Sequence, residues 1–224
     1  MERIEKKHPL FTRWTHWVNF PVLFIMMWSG AMIYWANDVY RVGLGNVTVF
    51  HFFPAWLYKL LRLDHRLADG MAVHFFFAWI FVVNGFLYAA YVLLSGQWRM
   101  IVPDRKAFVQ ALQVTLHDLG LRKDAPPQGK YNGAQKIAYT GISLMGIGST
   151  LTGLAIYKPA QLAWLTTILG GYEMARWEHF LLTIGFLGFF FVHIAQVVRA
   201  GYNNFRAMVT GFELTHAEEE HTNA

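Results

Sequence analysis

The sequence predicts an all-α integral membrane protein: a four-helix bundle with both termini cytoplasmic and short amphipathic interfacial helices in its loops. Three observations carry this expectation. Of 224 residues, 55% are hydrophobic and only 15% charged, and the mean hydropathy is positive, a balance unsuited to a water-facing globular surface. Four stretches, 14–37, 70–98, 137–157 and 179–198, contain no Asp, Glu, Lys or Arg. Each holds about twenty residues or more, enough at about 1.5 Å per residue to cross a hydrocarbon core of about 30 Å. Lys and Arg then fall thirteen on one side of the four-span topology and six on the other, and the richer side is the cytoplasmic one.

The elements follow in order. The start MERIEKKHPLFTR is basic, shows no small-residue cleavage site and runs into a hydrophobic stretch longer than a signal peptide's core, so the first span (13–36) is expected to stay in place. The outer loop carries TVFHFFPAWLYKLLRL at 48–63, aromatic, basic and too short to span, which suits a segment lying along the interface. A second span is expected at 70–96. After Pro103 and Asp104, the residues Phe108, Leu112, Leu116 and Leu119 recur at helical spacing and predict an amphipathic helix on the cytoplasmic face. KDAPPQGKYNG then reads as turn and coil leading to the third span (134–157). The fourth span (177–199) completes a single domain over 1–224.

The absence of cysteine rules out disulfides, thioether-attached haem and cysteine-ligated iron–sulfur clusters. The net charge of +5 is spread over loops flanking spans and follows the positive-inside pattern, so nucleic acid is not an expected partner. Histidines are the notable polar residues. Ten are present; His8, His117, His216 and His221 fall in aqueous segments, and His51 and His65 in the outer loop. The other four lie in spans. His16 stands near the inner start of the first and His74 near the outer start of the second, while His179 and His193 stand near the outer and inner ends of the fourth.

Depth alone therefore pairs His16 with His193 and His74 with His179. Fourteen residues at about 100° each return to within about 40° of the starting direction, so one face of the fourth span carries both of its imidazoles. An ionisable residue in a span is costly unless paired or coordinated. Two imidazoles facing each other suit a six-coordinate haem iron, whereas zinc would want four ligands and no carboxylate lies at the right depth. Arg13, Arg99, Arg176 and Arg199 stand near the membrane boundaries, either as positive anchors or as partners for haem propionates.

RWTHW around His16, DGMAVH ending at His74, GKYNGAQK at 129–136 and the fourteen-residue interval between His179 and His193 together resemble the di-haem cytochrome b subunits of membrane-bound bacterial oxidoreductases. That family includes the gamma subunit of respiratory formate dehydrogenase, the cytochrome b of nickel–iron hydrogenases and the anchor of thiosulfate-reductase-like molybdoenzymes. The resemblance implies two non-covalent b-type haems, each held by two histidines: His16 and His193 for the inner, His74 and His179 for the outer. It also implies a quinone site at the start of the third span, where Asn132, Gly133 and Gln135, with Tyr131 and Lys136 beside them, are the candidates. An Asn and a Gln there can bond quinone carbonyls or simply cap the helix.

The implied function is electron transfer across the bacterial inner membrane between the quinone pool and an outer-face catalytic or iron–sulfur subunit, such as a molybdoenzyme or hydrogenase. The chain would then carry no catalytic residue of its own beyond its quinone site. The outer loop, 38–69, is long and aromatic beside that of the formate dehydrogenase subunit. Two rival readings stand: a self-contained quinol or ferric reductase, and a haem-free transporter or anchor.

Overall fold

In the structure, a computed structural model, residues 2–36, 41–44, 47–52, 54–124 and 131–216 are described. Gly129, Lys130, His221 and parts of the outer loop lie outside them. Four helices are long and apolar enough to cross a membrane: α1 (Leu10–Trp35), α3 (Leu67–Leu94), α6 (Gly133–Tyr157) and α8 (Tyr172–Thr210). No residue in the most apolar window of α3 is buried, and Phe76 and Phe86 are 64% and 72% exposed. Such a band is covered by lipid rather than water.

Each boundary has a local cause. α1 starts behind Pro9 and tolerates Pro21 inside it, which removes one backbone donor at a cost neighbouring groups offset within a membrane. α6 opens with a capping box. α8 runs eleven residues beyond its expected end, because the chain continues past a break at Gly201 (φ 80°, ψ 173°), a conformation glycine adopts freely. α7 (Ala163–Ile168) is turned into α8 through Gly170 and Gly171, at φ 78° and 99°.

The loops depart from the all-α expectation. β1 (Glu2–Lys6) pairs antiparallel with β4 (Phe212–His216), and β2 (Arg41–Leu44) pairs with β3 (Val47–His51). Backbone groups outside the helices are satisfied by these ribbons. The aromatic stretch 48–63 is divided between β3 and α2 (Ala55–Leu60). The inner-loop helix exists as α5 (Arg105–Asp118), preceded by α4 (Trp98–Ile101), and Asp104 caps it by accepting from the Ala107 amide at 2.8 Å. Its Ala107 and Val114 are buried while Phe108 and Leu112 are exposed.

Two compact units are described, one of Met1–Tyr88 with Phe191–Ala224 and one of Ala89–Phe190. In the first, Tyr58 and Leu63 pack on Met32, so the outer-loop segment is seated on the end of α1. Asn84 of α3 donates to the Thr15 carbonyl (2.9 Å) and to Asn19 Oδ1 (2.8 Å), tying α3 to α1. Lys7 bonds both Glu213 (2.6 Å) and Asn204 (3.1 Å), reinforcing the β1–β4 ribbon. In the second unit, Ala155, Leu165 and Ala175 form the core. A Cβ on Gly133 would be driven into the Ala107 carbonyl, so only glycine lets α6 start this close to α5.

Candidate functional site

His16 of α1 and His193 of α8 come together in the first unit. Their ring centres lie 6.0 Å apart with an interplanar angle of 59°. Two metal–nitrogen bonds of about 2 Å, plus the distance from each nitrogen to its ring centre, require a separation of about 6 Å for imidazoles on opposite sides of one metal. The separation suits a single metal between the rings, and it also falls within the range of about 4.5–7 Å for ordinary ring contacts. Nδ1 of His16 is buried and unbonded among the described residues. A buried polar atom without a partner is uncommon, and Thr12 Oγ1 and Arg13 Nε, one turn earlier in α1, share its condition.

His74 and His179 have nearly identical surroundings, each within its own unit. The fully buried Ser29 of α1 bonds His74 Nδ1 through Oγ at 3.0 Å, and the next residue, Gly30, would place a Cβ 3.5 Å from His74 Cε1. Thr152 of α6 bonds His179 Nδ1 through Oγ1 at 2.9 Å, and Gly153 would place a Cβ 3.3 Å from His179 Cε1. A hydroxyl followed by glycine meets each ring. These hydroxyls, and Asn84, are the site residues that the sequence reading missed. The available signal was a polar residue beside glycine inside a span, at the depth of a histidine.

The candidate quinone residues cluster where α6 begins. Asn132 Oδ1 accepts from the Gln135 amide (2.9 Å) and Gln135 Oε1 accepts from the Asn132 amide (3.0 Å), a reciprocal helix start. This engages the two side-chain oxygens and leaves the two amide NH2 groups as donors. Tyr131 stands edge-on to Tyr139 at 5.3 Å. Burial, then the neighbouring Tyr91, holds its phenol above the usual value, so it stays protonated well past neutral pH. Lys136 is half-buried and Gln135 exposed.

The four arginines differ. Arg13 donates to the Val209 carbonyl at 2.6 Å; Arg176 bonds Glu173 at 3.3 Å and lies over the Tyr172 ring; Arg99 lies over Trp98; and Arg199 is exposed. Of the remaining histidines, His65 packs against Trp35 with ring centres 4.6 Å apart and planes tilted by 59°, and His117 lies 3.5 Å from Asp118. Among the described residues, no group of three or more His, Asp or Glu gathers as a metal site.

A family model described as prokaryotic cytochrome b561 matches residues 7–211. A putative protein-methionine-sulfoxide reductase subunit, YedZ1 of Azospira oryzae, is 31% identical over 192 residues, covering 85% of this chain and 89% of its own length. The chain therefore belongs to the prokaryotic cytochrome b561 family: it is a multi-pass membrane protein that binds b-type haem and transfers electrons.

Proposed function

We propose that this chain is a membrane-anchoring di-haem subunit that carries electrons between the quinone pool and a redox enzyme docked on the outer face of the bacterial inner membrane. His16 and His193 hold the inner haem, and His74 and His179 the outer. The observation that carries this reading is the 6.0 Å spacing of the His16 and His193 rings, suited to one iron between them. The outer pairing rests on matched depth in the sequence and on the family resemblance. Bound haem supplies a one-electron carrier whose potential the surrounding protein tunes.

The chain's own groups have separable tasks. Arg13 Nε and Thr12 Oγ1, one turn before His16 in α1 and buried without a partner among the described residues, are suited to an inner propionate. The amide groups of Asn132 and Gln135 are suited to hydrogen-bonding quinone carbonyls, and Tyr131 carries a proton there; Gly133 and Lys136 shape the same corner. Arg99, Arg176 and Arg199 serve as boundary anchors.

The named function of the Azospira relative points to a reductase as the partner and to electron flow from quinol outward. The balance closes: quinol oxidation releases two electrons and two protons, and reduction of methionine sulfoxide to methionine consumes two of each and releases water. The test is stopped-flow spectroscopy on the chain co-purified with its outer-face partner. Quinol should reduce a b-type absorbance band, and methionine sulfoxide should reoxidise it only when the partner is present. Reoxidation at the same rate without the partner would replace this reading with a self-contained reductase.

A further inference from the structure

We infer that Ser29 and Thr152 are positioning residues that lock His74 and His179 in the Nδ1–H tautomer, leaving the Nε2 lone pair of each for iron. The inference rests on the haem reading above and extends it to residues outside the ligand set.

The available protons decide the tautomer. A hydroxyl has one proton to give and two lone pairs to receive. Ser29 Oγ gives its proton to the backbone one turn earlier, with Ile25 O at 2.7 Å and Met26 O at 3.2 Å. Thr152 Oγ1 does the same, with Gly148 O at 2.7 Å and Ser149 O at 3.3 Å. Carbonyl oxygens have no proton to return, so both hydroxyls can only accept at the remaining contact. The proton in the 3.0 Å contact to His74 and the 2.9 Å contact to His179 therefore belongs to Nδ1 of each histidine. In a neutral imidazole one nitrogen carries the proton and the other the lone pair, so Nε2 of each ring is the ligating atom.

Two consequences follow. The hydroxyl that fixes the tautomer also fixes the ring's rotation, with Gly30 and Gly153 leaving room beside Cε1. A hydroxyl already donating to a carbonyl is a stronger acceptor, and drawing on the Nδ1 proton makes the imidazole a stronger donor to metal, which favours the oxidised iron. His16 is different, because its Nδ1 has no such partner among the described residues. The hydroxyls thus lower the potential of the haem held by His74 and His179 relative to what bare imidazoles would give.

The test compares the intact wild-type chain with Ser29→Ala, Thr152→Val, their double variant and the hydroxyl-retaining Thr152→Ser. Haem per chain is read by pyridine haemochrome, dissociation by haem transfer to an excess of apomyoglobin, and midpoints by optical redox titration. Ser29→Ala and Thr152→Val should each raise the midpoint of the same haem, leave the other unmoved and speed loss of that haem by roughly tenfold or more. Thr152→Ser should behave as wild type. Should Ser29→Ala not fold, the Thr152→Val and Thr152→Ser pair decides alone. Unchanged midpoints with haem retained, or a Thr152→Ser shift equal to that of Thr152→Val, would overturn the inference. Shifts in two different haems would uphold the tautomer lock and instead sink the pairing of His74 with His179. A wild-type chain without haem would sink the haem reading itself, and the inference with it.

Discussion

Asn84 shows what a single polar side chain does inside an apolar helix: its amide spends both protons on α1, at the Thr15 carbonyl and Asn19 Oδ1, one residue and one turn from His16. Replacement by Leu should cost about 0.6–1.7 kcal/mol, the range for hydrogen bonds between membrane helices, seen as a lower midpoint in thermal unfolding in detergent. The four span histidines were legible in the sequence because an ionisable group at membrane depth has few inexpensive explanations. Ser29 and Thr152 were not, since a hydroxyl in a span ordinarily satisfies itself on its own preceding turn. Both do so here, and the one trace of their second contact, to an imidazole on another helix, is the glycine that follows each hydroxyl, a pairing that ordinary helix packing also produces. Gly153→Ala would bring a methyl to 3.3 Å from the His179 ring, against 3.5 Å for Gly30→Ala and His74. The tighter site should therefore lose more haem, as haem per chain will show.

At the scale of elements, the start of α6 separates two roles that the sequence left open. The capping box shows that Asn132 and Gln135 begin the helix, and their spare NH2 groups are the donors the proposed quinone role would use. Asn132→Asp distinguishes the two, because Asp caps as well as Asn and lacks the amide donor. Thermal stability should stay as in wild type while quinol turnover falls; unchanged turnover would reduce Asn132 to a cap. Gly133→Ala should instead cost about 1–3 kcal/mol through overpacking against Ala107 and Gln110, measured by unfolding. The four spans and α5 were readable because long uncharged runs and helical spacing are local signals. The β1–β4 ribbon was not, since each strand has five residues and the partners, such as Glu2 and His216, stand at opposite ends of the chain. α2 and β3 were read as one interfacial segment because aromatic composition speaks to burial and interface, not to backbone geometry.

For the molecule as a whole, the charge asymmetry of the loops, the uncharged spans and the exposed apolar band on α3 describe one membrane-embedded chain. The β1–β4 pairing sets segments from both ends of the sequence side by side, which an even number of crossings allows and an odd number would forbid. Swapping the basic residues of the inner loop to the outer loop should disturb the expected orientation, and a reporter fused behind residue 224 should read as cytoplasmic in the native chain. The central claim is that histidines at two depths hold two haems, and haem content of the purified chain beside its His193→Ala variant tests it most directly. The account predicts two b-type haems per wild-type chain and one in the folded variant, with the remaining haem still reducible from the partner side. A wild-type chain without haem, or a folded variant that keeps both haems or loses both, would contradict it.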